Sequence, residues 1–234
     1  MAERRFVVEG PQCVREALAS LEELFVLDPS APLARAAAEA GVAVTVVDAK
    51  VLDALAETAT PQGLVGVAPL LEPGLDVLDG AQLVVVLHEV SDPGNAGTVI
   101  RTADAAGADA VVLTTGSVDP HNGKCVRATA GSLWHLPVVH GAGLPDVLAA
   151  LRRTGLQVLA TSGAGEDDLD DLLDTGGLAR PTAWLLGTEA HGLPADVIDS
   201  ADRRVRIPMR GRAESLNLAT AAAVCLFSSA RAQR

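Results

Sequence analysis

Residues 82–88 form an apolar run from Leu83 to Leu87 with no alternation of polar and apolar positions. A strand of that kind has both faces covered, as in a parallel sheet lying between layers of helices. Similar, mostly apolar runs recur at 110–114, 136–139, 157–161 and 183–186, and a more basic strand is expected at 203–207. Helical stretches separate them at 97–106, around 124–130, at 144–154 and from 194 on, and the last runs 216–230. This alternation predicts an α/β fold with a doubly wound parallel sheet. Hydrophobic residues are 49% of the 234 but aromatics only 2%, so the core must be built from Ala, Val and Leu.

A smaller α/β pattern occupies residues 6–70. It reads as helix 14–24, strand 24–27, helix 33–40 ending at Gly41, strand 42–47, helix 51–57 and strand 63–69. Pro73, Gly74 and Gly80, set among Glu72, Asp76 and Asp79, give 73–80 the composition of a linker. The expected division is 1–72, linker 73–80, and 81–234.

The net charge of −12 argues against a nucleic-acid partner, which normally leaves a basic footprint. The acid is concentrated at the start: residues 1–80 carry five Lys/Arg against thirteen Asp/Glu. Arg203, Arg204, Arg206, Arg210 and Arg212 fall within ten residues, a strip that suits RNA phosphates or is simply a solvated face. The acidic run 166–174 reads as a solvated loop and short helix. Cys13, Cys125 and Cys225 are odd in number and match no metal-ligand spacing, which fits a reducing cytoplasm without disulfides or structural metal. No secretory leader or membrane-spanning run is legible.

Three polar, glycine-bearing segments fall where ligands bind in such sheets, beyond the carboxyl ends of strands. The first runs from Asp92-Pro93-Gly94-Asn95 to Arg101, the second from Leu186-Gly187-Thr188-Glu189 to Gly192-Leu193-Pro194. The third runs from Ile207-Pro208-Met209 through Gly211 to Glu214-Ser215-Leu216-Asn217, directly ahead of an Ala-rich helix. A helix start offers unpaired N–H groups to a ligand. The three-glycine dinucleotide fingerprint and the Walker A pattern are both absent, so nicotinamide and ATP readings have little support.

Together the segments resemble the three motifs of the SpoU (TrmH-like) branch of the SPOUT RNA 2′-O-ribose methyltransferases. The first matches as Asn95-x-Gly97-x-x-x-Arg101, the second as Gly187-x-Glu189-x-x-Gly192-Leu193. The third matches as Ile207-Pro208-Met209-x-Gly211-x-x-Glu214-Ser215-Leu216-Asn217, and Lys124-x-x-Arg127-x-Thr129-x-Gly131-Ser132 resembles the family's intermediate segment. Glu9-Gly10-x-x-x-Val14-x-Glu16-Ala17-Leu18 and Gln62-Gly63 resemble the L30e-like substrate-binding domain, with Pro61 where many relatives carry a histidine.

The resemblance implies a SPOUT α/β-knot with a C-terminal trefoil, S-adenosylmethionine as methyl donor, and a homodimer whose active site lies at the interface. It implies RNA as substrate, ribosomal RNA ahead of transfer RNA, because the tRNA-acting relatives often lack the first domain. A non-catalytic RNA-binding protein on the same scaffold is the alternative. By matching position, Leu186, Gly187, Thr188, Glu189, Gly192, Ile207, Leu216 and Asn217 surround the donor. Arg101 clamps an RNA phosphate and polarises the ribose hydroxyl, since a guanidinium keeps its proton in water. Asn95, Ser215 and Asn217 orient the sugar and that arginine, Glu189 anchors the loops, and Lys124, Arg127 and Arg210 contact RNA. The plainer readings are a surface salt bridge for Arg101, helix caps for Ser215 and Asn217, and a first-turn acid for Glu214. No partner pattern marks His88, His121, His135 or His140.

Overall fold

The computed structural model describes residues 4–188 and 192–234. Its first sheet contains β1 (Arg5–Glu9), β2 (Glu23–Val26), β3 (Ala43–Val46) and β4 (Leu64–Pro69), in the order β1-β4-β2-β3. β4 is antiparallel to both β1 and β2, and β2 is parallel to β3. The helices are α1 (Pro11–Ala17), α2 (Pro32–Glu39) and α3 (Ala49–Leu55).

The helix expected at 14–24 begins earlier and stops at Ala17, followed by a 3-10 turn at Leu18–Ser20. Pro11, at the start of α1, has no N–H to satisfy there, while Leu24 and Val26 must alternate inward as strand residues. β1 escapes a reading by periodicity because it is one short strand framed by charge, Arg5 to Glu9. Its antiparallel pairing with β4 is a long-range event.

The second sheet has seven strands, all parallel, in the order β7-β6-β5-β10-β8-β11-β9. These are β5 (Leu83–Leu87), β6 (Ala110–Thr114), β7 (Val138–Ala142), β8 (Gln157–Thr161), β9 (Asp167–Asp168), β10 (Thr182–Leu186) and β11 (Arg203–Arg206). The helices are α4 (Pro93–Ala106), α5 (Gly123–Thr129), α6 (Leu144–Arg153), α7 (Leu169–Asp174), α8 (Ala195–Asp199) and α9 (Leu218–Ala232). Along β5, Leu83, Val85 and Leu87 belong to one apolar cluster and Val84 and Val86 to another, which is the two-sided burial that the unalternated run predicts. Burying each such side chain is worth roughly 1.5–3 kcal/mol before chain entropy is charged against it. Trp184 on β10 is fully buried, and its Nε1 donates to Ser229 Oγ at 2.9 Å, tying α9 to the central strands.

Two segments differ from their composition. Residues 73–80 contain a 3-10 turn at Leu75–Leu78, and Leu78 is fully buried in the second sheet's core. The acidic run 166–174 contains the expected short helix, α7, but the loop before it is instead β9, the edge strand of the sheet. β9 pairs with β11 in parallel, Asp167 beside Val205 and Asp168 beside Arg206, which brings the acidic run up against the arginines. Arg203 pairs with Asp167 (3.5 Å), Arg204 with Glu166 (3.1 Å) and Asp199, and Arg206 with Asp168 (3.1 Å).

Candidate active site

Because every strand of the larger sheet is parallel, the segments after β5, β10 and β11 leave from one edge. The first passes into α4. Asp92 caps it, Oδ1 accepting from Asn95 N at 2.7 Å, with Pro93 in the first turn. Its Oδ2 accepts from Lys124 Nζ at 3.1 Å. The Asn95 N–H first, then Lys124, hold the Asp92 carboxyl below the usual carboxylate range. The helix expected at 97–106 thus starts four residues earlier, and the Asp-Pro-Gly-Asn order is the helix-start signal that would have revealed this cap. Arg101 is exposed on α4, and its guanidinium meets no partner among the described residues.

The second segment folds back on itself. Thr188 N donates to Gly192 O at 3.1 Å and Gly192 N to Thr188 O at 2.8 Å. Gly187 is buried at the crossing: a Cβ there would run into the Gly192 carbonyl and lie 2.6 Å from Leu193 N, so only glycine closes this turn. Leu186 is buried. Glu189 and His191 lie outside the described residues.

The third segment leaves β11 with Ile207 half-buried against the core and Ser215 exposed. Asn217 is the N-cap of α9, its Oδ1 accepting from Ala219 N (2.9 Å) and Thr220 N (3.3 Å). The helix therefore starts two residues later than expected. Ser215 is not its cap, and Glu214 lies outside its first turn, which contains no acid. Asn217 Nδ2 also donates to Asn95 Oδ1 at 3.0 Å, which brings the first and third segments together across 122 positions.

The residues expected to hold the methyl donor fit that purpose in their main chains. The N–H groups of Gly187, Ile207 and Leu216 donate to no described residue, although Gly187 is buried and the other two are half-buried. Buried N–H groups are rarely left unpaired. Such donors suit a ligand that presents a neutral purine edge and a carboxylate.

The expected RNA contacts divide. Lys124 stands beside the first segment and is exposed despite its bond to Asp92, and Arg210 is exposed, 3.9 Å from Asp170. Arg127 is not a free cation. Its Nη1 donates at 2.6 Å to Glu9 Oε2 of the first sheet, a carboxylate only 3% exposed. The arginine strip as a whole is largely neutralised by 166–170, which sequence composition could not reveal because the pairing runs through the β9–β11 register.

The histidines also acquire partners that no local pattern announces. His121 Nε2 must be the acceptor for Leu71 N (3.0 Å), because a backbone N–H can only donate, so Nδ1 carries the proton toward Asp119 Oδ1 (2.9 Å). Asp119, His121 and His140 place ligand atoms within 4.8 Å of one another, yet His121 keeps no lone pair for a cation. His135 lies between Asp104 Oδ2 (2.7 Å) and Glu16 Oε2 (3.2 Å). All three cysteines are buried and free, and burial pushes the Cys125 thiol up to about 12, so none is poised as a nucleophile.

Comparison with known proteins agrees with this arrangement. Residues 82–227 match the model of the SpoU rRNA Methylase family, and residues 7–74 match that of the RNA 2′-O ribose methyltransferase substrate binding domain. The 23S rRNA (guanosine(2553)-2′-O)-methyltransferase RlmP of Bacillus subtilis is 36% identical over 95% of this chain and 87% of its own length. RlmB of Bordetella pertussis, a 23S rRNA (guanosine-2′-O-)-methyltransferase, is 33% identical over 83% of this chain and 80% of its own. The AdoMet-bound rRNA methyltransferase of Sinorhizobium meliloti superposes with a TM-score of 0.85 at 35% identity, covering 97% of this chain and 87% of that one. With its motif segments gathered at one edge of a parallel sheet and its family match spanning most of its length, this chain belongs to the SpoU rRNA methylase family.

Proposed function

We propose that this protein is an enzyme that methylates a ribose 2′-hydroxyl in RNA with S-adenosylmethionine, and that the RNA is ribosomal. The observation that carries the reading is the Asn217–Asn95 hydrogen bond, which sets the helix bearing Arg101 against the segment that presents unpaired main-chain donors. Ribosomal RNA is favoured because the similarity to rRNA-acting relatives runs through both sheets, the first included.

Bound S-adenosylmethionine supplies an electrophilic methyl group. Main-chain groups at Gly187, Ile207 and Leu216 would hold it, with Leu186, Thr188, Glu189, Gly192 and Asn217 around them. The protein's own task is mostly positioning, since an in-line displacement depends on alignment. Arg101 clamps the phosphate beside the target ribose and hydrogen-bonds the 2′-oxygen, which lowers the hydroxyl's pKa so that its proton passes to that phosphate as the oxygen attacks. Asn95 and Ser215 orient the sugar, and Asn217 fixes Asn95. Lys124 and Arg210 contact the flanking backbone.

The reading extends to architecture. Residues 1–72 act as the RNA-holding domain and 81–234 as the transferase domain, with a trefoil knot formed as the chain after β11 threads past the β10 loop. A second copy completes the active site. Phe227, 50% exposed, and Val224, 37% exposed, give α9 an apolar outer face suited to that partner. No helix among the described residues is long and apolar enough to cross a membrane, and a ribosomal RNA substrate supports a cytoplasmic location.

Transfer of a radiolabelled methyl group to unmodified rRNA tests the reading. Label is expected on a ribose, and its position follows from mapping 2′-O-methylation in cells with and without the gene. RNA binding without methyl transfer would instead establish the non-catalytic alternative.

A further inference from the structure

The two sheets meet along a seam that buries one carboxylate against an arginine. Glu9 ends β1 and is almost wholly buried. Its Oε1 accepts from the main-chain N–H groups of Glu57 and, at 3.4 Å, Thr58, while Oε2 accepts from Arg127. The carboxylate therefore holds the 57–58 segment of the first unit and a side chain of α5 at the same time. A cleft of about 520 Å3 opens beside it, lined from the first unit by Gln12, Arg15, Thr60 and Gln62 and from the second by Arg127.

α5 has a second grip. Three residues before Arg127, Lys124 bonds Asp92, the cap that fixes Asn95. Between these points α5 lies against α4 almost backbone to backbone. A Cβ on Gly97 would strike the Cys125 carbonyl and lie 2.6 Å from Ala128 Cβ and 3.2 Å from Thr129 N. Packing this close leaves α4 little freedom to move independently of α5.

Resting on the methyltransferase reading, we propose that Arg127 and Glu9 are positioning residues, a joint that sets the helix carrying Asn95 and Arg101 in register with the RNA-holding unit, and that Arg127 does not bind phosphate. Motion of the first unit passes through Glu9 to Arg127, along one turn of α5 to Lys124, and so to α4 at Asp92 and Gly97. A guanidinium already bonded to a buried carboxylate has little left to offer a phosphate, and releasing it would strand the Glu9 charge. A misplacement of the reacting groups by about 1 Å can cost on the order of a hundredfold in rate, so a joint remote from the chemistry can govern it.

The test compares Glu9→Gln, Arg127→Ala and the double variant in the full chain. Glu9→Gln is the milder change, because its amide oxygen still accepts from the 57–58 main chain. Three quantities are read: kcat and KM on an rRNA fragment, S-adenosylmethionine affinity, and the salt dependence of RNA binding. The joint requires both single variants to lose kcat about tenfold or more, the double to be no worse than either, and donor affinity and salt slope to stay at wild-type values. A phosphate-binding Arg127 gives the opposite pattern, with Glu9→Gln silent and Arg127→Ala weakening RNA binding with a salt slope lower by about one. That pattern overturns the proposal. Loss of donor binding in Glu9→Gln also overturns it, because the pair would then merely hold the fold. Wild-type protein that transfers no methyl to any rRNA removes the underlying reading as well, an outcome visible before any variant is assayed.

Discussion

Asn217 donates from Nδ2 to Oδ1 of Asn95 at 3.0 Å, while its own Oδ1 caps α9 by accepting from Ala219 N and Thr220 N. One side chain thus performs two separable tasks. Asn217→Asp keeps the capping oxygen and loses the amide donor, whereas Asn217→Ala loses both. The cap is worth about 1 kcal/mol. Asn217→Ala should therefore lower the melting temperature by several degrees, with Asn217→Asp close to wild type, and both should lower kcat. Thermal melts and single-turnover methyl transfer check this; a fully active Asn217→Asp would reduce the residue to a cap.

Arg101→Ala is expected to abolish transfer while leaving S-adenosylmethionine affinity nearly unchanged. The exposed guanidinium meets no described partner, so its removal leaves no buried charge behind and costs little stability. Calorimetric titration of donor into the variant separates the two effects. A tenfold loss of donor affinity would move Arg101 from the sugar side of the site to the donor side.

The arginines of the 203–212 strip should differ in their effect on RNA. Arg212 has no partner among the described residues, and Arg210 only a distant one, whereas Arg203 and Arg204 are tied to acids. Arg212→Ala should weaken RNA binding and reduce its salt slope by about one, and Arg203→Ala should change the slope less. Filter binding at several salt concentrations measures both.

Two seam histidines require opposite protonation states. His135 faces Asp104 on α4 and Glu16 on α1, and the hydrogen bonds to those carboxylates, Asp104 foremost, raise its pKa. Its stabilising charge is fully present below the ordinary value of about 6.5 and is lost as pH rises through the raised one. His121 is the reverse case. Burial, with a smaller push from neighbouring His140, lowers its pKa against the pull of Asp119, and Leu71 N donates to its neutral Nε2. Its contribution is complete above about pH 6.5 and erodes as pH falls below that. Melting temperature should pass through a maximum near neutrality, with His135→Gln flattening the alkaline side only.

Much of this was legible in the chain. The unalternated apolar runs specified a parallel sheet, and the resemblance of the segments from Asn95 to Arg101 and from Ile207 to Asn217 to the family's motifs pointed to the strand ends proposed to carry the chemistry. What stayed hidden depends on register. Nothing near Glu9 announces Arg127, because 118 positions separate them. The strip at 203–206 looked like an RNA surface because its neutralising acids at 166–168 become neighbours only once β9 pairs with β11. Asn217 as cap and Ser215 as free side chain differ by two residues, which is the ordinary uncertainty of a helix boundary.

Gly97 gives the sharpest prediction about packing. It sits in the middle of α4, where alanine would normally be preferred by nearly 1 kcal/mol, so propensity alone says Gly97→Ala should stabilise the helix. The α5 backbone argues the other way, because the new methyl would overlap the Cys125 carbonyl and crowd Ala128. Backbone cannot rotate aside as a long side chain would, and overpacking of this kind costs about 1–3 kcal/mol. The second effect is the larger, so the variant should melt several degrees lower and lose methyl transfer in the same proportion as Glu9→Gln. A variant that melts higher than wild type would mean that α4 and α5 sit further apart in solution.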